Sequence, residues 1–290
     1  MRDADLFVPG VMYRRDPVAD PVPLVVDSPH NGVDWPADFE HRVTLAELMT
    51  SVDAYVDELF SSAPTLGLQL LTARFGRIYC DVNRAFDDLD PASLDDAEGL
   101  ELAPSAKARL GKGVVWTATP PDGAPLLAGP VRRAEYLDRL ERCWRPYHAA
   151  LGELLESALA VHGRVFHLDL HSMQPVANAM HEDATGSLRP DIVLSDREGT
   201  SAGAGYLEAA RALLIELGFS VTVNDPFKGA EILRRHGNPA RGVHSLQIEV
   251  NRALYMDVET YGKTARFRDT RARFSAFLAS LRDWAAKSGG

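Results

Sequence analysis

Cysteine is scarce in this chain: Cys80 and Cys143 are the only two among 290 residues. Two thiols make no disulfide framework and no Cys-rich zinc pattern, so a small stapled secreted fold and a zinc-finger class are both excluded. Cys80 lies in a strand-like run and reads as a small buried apolar residue. No apolar run reaches the length that spans a bilayer. Basic residues are outnumbered, 31 Lys and Arg against 41 Asp and Glu, for a net charge of -10. A generally acidic surface argues against nucleic acid or anionic membrane as the main partner and leaves room for a local basic pocket. Met1-Arg2-Asp3-Ala4-Asp5 lacks the basic-then-apolar layout of a signal peptide, so the expected compartment is the cytoplasm. Gly-x-Ser-x-Gly, P-loop and dinucleotide glycine patterns are missing, and Gly111-Lys112-Gly113 lacks the strand-loop-helix setting of a phosphate site.

What is present is an alternation of strands and helices. Residues 1–23 read as an irregular lead-in, rich in Pro and Asp. Strands are expected at 24–27, 68–71, 77–82, 165–170, 192–195, 219–223 and 245–250, from short apolar runs bounded by turn residues. Helices are expected at 44–62, capped by Thr44 with Glu47 at the capping-box position, at 132–162 with Pro146 as a kink, at 206–217 before Gly218, and at 270–287. Residues 83–125, dense in Asp, Pro and Gly, read as a long functional loop with short helices. The pattern predicts an α/β fold: one domain with a mixed, mostly parallel sheet and helices on both faces.

Polar residues cluster where these strands end. Phe166-His167-Leu168-Asp169-Leu170-His171-Ser172 is an apolar run that delivers His171 to a pocket, and Leu24 to Gly32 delivers His30 in the same way. Two histidines at strand ends suggest a catalytic metal, which usually takes three protein ligands and keeps one open position. His-x-x-Glu spacing is absent, since position 33 is Val and 34 is Asp. Asp53 is the preferred third ligand, with Asp57 or Asp34 as alternatives; read alone, Asp53 and Asp57 form a solvated helix face. Asp169 stands two residues from His171 on the same strand face and suits a partner for its ring. Glu249, a charge inside Leu246-Gln247-Ile248-Glu249-Val250, needs a partner or a raised pKa; beside a metal it would be a general base, and otherwise an ion-pair partner of Arg252. Asn83-Arg84 suits a grip on a carboxylate, with Arg197 and Arg252 as further candidates. The ligand types suit zinc, and also manganese, iron or cobalt.

Taken in order, these segments resemble the N-formylglutamate amidohydrolase family. The carrying motifs are Ser28-Pro29-His30-Asn31-Gly32, residues 53–57, Asp81-Val82-Asn83-Arg84, Trp144-Arg145-Pro146-Tyr147-His148 and Asp169-Leu170-His171-Ser172-Met173. Residues 191–197, 199–201, 228–237 and 242–256 continue the match. Each motif is weak alone; the ordered set, from about residue 24 to about residue 260, is specific. The resemblance implies a fold similar to zinc carboxypeptidases and aspartoacylase-type deacylases. It implies zinc-dependent hydrolysis of N-formyl-L-glutamate, a small dicarboxylate N-acyl amino acid, to L-glutamate and formate in histidine degradation. It also implies metal binding at His30 and His171, general-base action at Glu249, and carboxylate binding at Asn83 and Arg84, aided by Arg197 or Arg252; the chain departs from those relatives in lacking a Glu three residues after His30, and Asp53 is taken as the substitute for that middle ligand. His244 or His236 would line the pocket. Another N-acyl amino acid deacylase, a small carboxypeptidase, and a non-catalytic binder of acidic metabolites are the alternatives.

Overall fold

A computed structural model describes residues 5–180 and 183–288; positions 1–4 of the segment read above for a signal peptide lie outside that range. One eight-stranded sheet organises the chain. Its strands are β1 (Leu6–Val8), β2 (Met12–Arg15), β3 (Leu24–Ser28), β4 (Gln69–Ala73), β7 (Val165–Met173), β8 (Ile192–Ser195), β9 (Val221–Val223) and β10 (Val243–Asn251). A small separate hairpin pairs β5 (Ala118–Thr119) with β6 (Ala124–Pro125). The large sheet runs in the order β1-β2-β4-β3-β7-β10-β8-β9. The pairs β3–β4, β3–β7, β7–β10 and β8–β9 are parallel, and β1–β2, β2–β4 and β8–β10 are antiparallel. The expected mixed, mostly parallel sheet is what forms.

Period-2 alternation gives the central strands two different faces. Phe166, Leu168 and Leu170 of β7 join Leu24 and Val26 of β3 and Leu246, Ile248 and Val250 of β10 in one apolar cluster. Three helices cover that face: α2 (Val56–Leu59), α6 (Ala204–Glu216) and α8 (Phe267–Lys287). On the opposite face the same strands place Asp27, His167, Asp169, His171, Ser245, Gln247 and Glu249, all buried. Helix α5 (Arg145–His162) covers much of it and donates the Tyr147 hydroxyl to Asp27 Oδ2 at 2.7 Å. His167 bridges Asp27 Oδ1 (2.8 Å) and Ser245 Oγ (2.6 Å). Buried polar groups persist when they are paired in this way. Register then sets Glu249 beside His171 at the carboxyl end of β7, the edge where sheets of this type bind ligands.

Several expectations are corrected. The lead-in is not irregular throughout: β1 and β2 extend the sheet beyond β4, and a short strand with Met12 as its one buried residue leaves little sequence trace. The helix expected at 44–62 begins as read, with a Thr44–Glu47 capping box, but α1 (Leu45–Met49) stops and α2 starts only at Val56. Between them the backbone bonds elsewhere. Asp53 N–H donates to His30 O at 2.9 Å, and Arg252 donates to the Thr50 and Val52 carbonyls. Residues 77–82 form turns rather than a strand; complete burial of Ile78, Tyr79, Cys80 and Val82 imitates a strand's apolar run. The helix expected at 132–162 divides into α4 (Arg133–Arg139), a π turn (Leu140–Trp144) and α5. Pro146 has no N–H to give and its ring crowds the carbonyl four residues back, which the wider turn accommodates. The remaining helices, α3 (Ala106–Arg109) and α7 (Glu231–His236), are short. No helix among the described residues is long and apolar enough to cross a membrane.

Candidate metal centre

His30 follows β3, His171 lies near the end of β7, and Asp53 projects from the break between α1 and α2. Their ligand atoms form a small triangle. His30 Nδ1 is 3.1 Å from His171 Nδ1; Asp53 Oδ2 is 3.3 Å from His171 Nδ1 and 3.5 Å from His30 Nδ1. A tetrahedral zinc with bonds of about 2.0–2.1 Å has ligand–ligand edges of roughly 3.3–3.4 Å. The triangle matches that edge without rearrangement, and all three side chains are buried. Asp57 lies outside this triad, on α2. Asp34 is also outside it, engaged in a two-point ion pair with Arg74 at 3.0 and 3.1 Å.

The outer nitrogens explain the orientation of the rings. His30 Nε2 is 2.8 Å from Asp81 Oδ1, and His171 Nε2 is 2.9 Å from Asp169 Oδ1. With a cation bound and a proton on each Nε2, both Nδ1 atoms would present lone pairs to it beside the Asp53 carboxylate oxygen. Such convergence calls for positive charge at its centre. His171 responds to this demand: burial opposes its charged form, but Asp169, Asp53 and Glu249 outweigh burial and hold its pKa well above the usual value. A second group approaches the same nitrogen, since Asn83 Nδ2 lies 3.2 Å from His171 Nε2. The Asp169 contact is shorter but falls outside hydrogen-bond geometry, and neither Asp169 oxygen has a hydrogen-bond partner. His171 Nε2 thus faces Asp169 Oδ1 if it carries a proton and accepts from Asn83 Nδ2 if it does not.

The carboxylates are held ionised by their neighbours. Burial pushes Asp81 up, but Arg77, His30 and Arg84 outweigh it and keep it well below the usual carboxylate range. Arg77 Nη2 and Trp116 Nε1 both donate to Asp81 Oδ2, at 3.0 and 3.1 Å. For Asp53, burial is again the largest influence, outweighed by hydrogen bonds from His171 and His30 and by the charge of Arg77. Arg252 donates to Asp53 Oδ1 at 3.1 Å, to Val52 O at 2.8 Å, to Thr50 O at 3.3 Å and to Ser172 Oγ at 3.0 Å. Its fork is engaged at the α1–α2 break, where it can position Asp53, and it also borders the cavity beside the triad, where the substrate grip expected of it would act.

A cavity of about 370 Å³ opens beside the triad. Glu249 lines it, accepts a 3.0 Å hydrogen bond from Gln247 Nε2, and is pushed up to about 7 chiefly by burial. Asn83 and Arg84 line it as well. The Asn83 amide is oriented by Ile232 N–H, which donates to Oδ1 at 3.0 Å. Arg84 donates Nε to Lys112 O and Nη1 to Asn83 O, at 3.0 and 2.8 Å. Sequence reasoning missed Arg77, Lys112 and Arg189, which line the same walls, Arg77 paired with Asp81 and Arg189 with Asp183; the signal available was Arg77 four residues before Asp81. Arg197 lies instead on an adjoining cleft shared with Arg84. His244 is not at the site. It stands five residues before Glu249 on β10, about 17 Å away at ~3.3 Å per residue, where its ring stacks on Phe166 and its Nδ1 accepts from Gly203 N–H at 3.0 Å. His236 pairs with His148, at 2.9 Å.

Residues 22–256 match the family model for N-formylglutamate amidohydrolase. The chain is similar to N-formylglutamate deformylase of Pseudomonas aeruginosa, with 32% identity over 91% of this chain and 94% of that protein. N-formylglutamate deformylase of Pseudomonas putida is 29% identical over 92% and 94%. Among solved structures, N-formylglutamate amidohydrolase from Ralstonia eutropha JMP134 superposes with a TM-score of 0.90 at 36% identity, covering 97% of this chain and all of that one. With the family model spanning most of its length and the fold reproduced end to end, the chain belongs to the N-formylglutamate amidohydrolase family.

Proposed function

We propose that this protein hydrolyses N-formyl-L-glutamate to L-glutamate and formate with one divalent cation, zinc foremost, held by His30, Asp53 and His171. The observation that carries this reading is the convergence of two imidazole nitrogens and a carboxylate oxygen at tetrahedral spacing, beside a buried carboxyl group and a cationic cavity. When bound there, the cation supplies Lewis acidity, polarising a carbonyl and acidifying a water. Glu249 is placed to accept the proton of the attacking water, since its pKa of about 7 leaves it ready to take up and release a proton near neutrality. As the new C–O bond forms and the formyl C–N bond breaks, Glu249 returns that proton to the departing amine nitrogen. Gln247 holds the Glu249 carboxyl in place through Oε1. Arg84, with Asn83 and Lys112 around the same cavity, neutralises and orients the two substrate carboxylates. The cavity lining suits a small N-acyl dicarboxylate.

The substrate is tested by comparing turnover of N-formyl-L-glutamate, N-acetyl-L-glutamate and a glutamyl dipeptide. The expected order puts the formyl compound first by at least about a hundredfold in kcat/KM, about 3 kcal/mol. Preference for the acetyl compound or the dipeptide would reassign the enzyme to the deacylases or carboxypeptidases, and binding without turnover of any of them would indicate a metabolite binder.

A further inference from the structure

We infer that Trp144 and His148 are positioning residues for the substrate pocket, holding the segment Asp81-Val82-Asn83-Arg84 by its backbone carbonyls, with His236 setting the proton on His148. The inference rests on the carboxylate-binding role given above to Asn83 and Arg84.

Trp144 closes the π turn, and His148 follows one helical turn later on α5. Trp144 Nε1 donates to Arg84 O at 2.9 Å, and His148 Nε2 lies 2.9 Å from Val82 O. Against a carbonyl, His148 Nε2 must carry the proton. His148 Nδ1 is therefore an acceptor, and His236 Nε2, 2.9 Å away, must supply the hydrogen between them. The geometry fixes one tautomer on both rings. It is supported by packing: the two imidazoles stack at 5.2 Å and 16°, the Trp144 ring lies 4.2 Å from His148, and the Arg235 guanidinium lies 4.5 Å over Trp144. Burial, with neighbouring positive charge, lowers His148 to about 4 and His236 to about 3, so both rings stay neutral near pH 7.

The carbonyls of Val82 and Arg84 flank Asn83, whose own side-chain oxygen is held from α7 by Ile232 N–H. Three contacts, from the π turn, α5 and α7, thus fix the stretch that presents Asn83 and Arg84 to the cavity. Asp81 has further anchors in Arg77, Trp116 and His30, besides the Asn83 N–H that donates to its Oδ1 at 3.0 Å. Losing the Trp144 or His148 contact should therefore loosen substrate contacts while sparing the metal ligands. None of the contacts involves a reacting atom, so a π turn far along the chain from any ligand becomes part of substrate affinity. Such turns recur at functional sites.

The test compares His148→Leu, His148→Gln and Trp144→Phe in the full-length, cobalt-loaded protein. Gln retains an N–H able to reach Val82 O; Leu does not. Phe retains the ring of Trp144 without its N–H. We expect KM for N-formyl-L-glutamate to rise about tenfold or more in the Leu and Phe variants, with kcat within about threefold, the signature of lost binding energy common to ground and transition states. Gln should recover most of that loss. The cobalt absorption spectrum should match the parent in all three. Amide hydrogen exchange in the peptide spanning residues 81–84 should quicken in Leu and not in Gln, a readout that needs no substrate. Unchanged KM and exchange in Trp144→Phe, or equal losses in Leu and Gln, would overturn the inference, and Trp144→Phe decides it if His148→Leu fails to fold. A parent protein that binds cobalt and releases no formate would instead reject the substrate assignment, leaving the exchange data to judge the positioning role.

Discussion

Replacing Arg252 by methionine keeps the apolar stem and removes the guanidinium fork. Four contacts disappear together: to Thr50 O, Val52 O, Asp53 Oδ1 and Ser172 Oγ. Asp53 is left buried with one counter-charge fewer, and two carbonyls of the α1–α2 break lose their donor. Removing one partner of a buried ion pair costs about 3–5 kcal/mol. The break is then free to relax toward the helix its sequence favours, carrying Asp53 away from the histidines. A supporting residue of a metal ligand is worth about 10–100-fold in metal affinity. Arg252→Met should therefore lose about 3–5 kcal/mol in chelated protein by urea denaturation, and should bind zinc about 10–100-fold more weakly in a chelator competition. Had Arg252 gripped the substrate, KM would rise with zinc affinity untouched. That second pattern would refute the reasoning.

Other substitutions probe different parts of the site. Glu249→Gln should lower kcat by about 10²–10⁴-fold, the usual worth of a positioned acid–base group, with zinc retained by elemental analysis; activity near the parent's would remove Glu249 from the chemistry. Arg84→Ala should raise KM for N-formyl-L-glutamate by roughly 10–100-fold, from the loss of a charged hydrogen bond worth about 1.5–3 kcal/mol, and unchanged saturation kinetics would end its role as a clamp. Acid should destabilise the fold through His148 and His236. Their folded pKa values of about 4 and about 3 lie below the unfolded value near 6.5, so the unfolded chain takes up more protons as pH falls between those limits. This stability is full above about pH 6.5 and lost below it, by about 2 kcal/mol between pH 7 and pH 5 from His148 alone. Urea midpoints should show that slope, and the double variant His148→Gln/His236→Gln should flatten it; an equal slope in both would place the acid-labile group elsewhere.

What could be read in the sequence was whatever local pattern governs. Strands β7, β8 and β10 are alternating or continuously apolar runs, and helix α8 carries an apolar stripe, so all four form where the pattern places them. His30, His171 and Glu249 stood out because each is polar at the end of such a run. The features that escaped depend on distant partners. Residues 50–55 have a helical pattern and leave the helix because Arg252, some 200 positions later, takes their carbonyls. Residues 77–82 look like a strand because turns can be as buried as strands. Arg252 read as a substrate residue because it adjoins the Glu249 strand, and it does border the cavity, but its bonds to the α1–α2 break left no local trace in the sequence. His244 misled for a simpler reason: five residues along an extended strand is a long distance, and belonging to one motif does not put two side chains in one pocket. Asp81, Arg77 and Lys112 had no periodic signal, since loops brought together by tertiary packing supply them.

The central claim is that His30, Asp53 and His171 hold one catalytic cation. The most direct measurement is a titration of chelated, full-length protein with zinc while formate release from N-formyl-L-glutamate is followed. Activity should be absent at the start, rise in proportion to added zinc, and level off at about one equivalent per chain, with Asp53→Ala failing to recover at that equivalence. Full formate release by metal-free protein, or recovery in Asp53→Ala identical to the parent's, would contradict it.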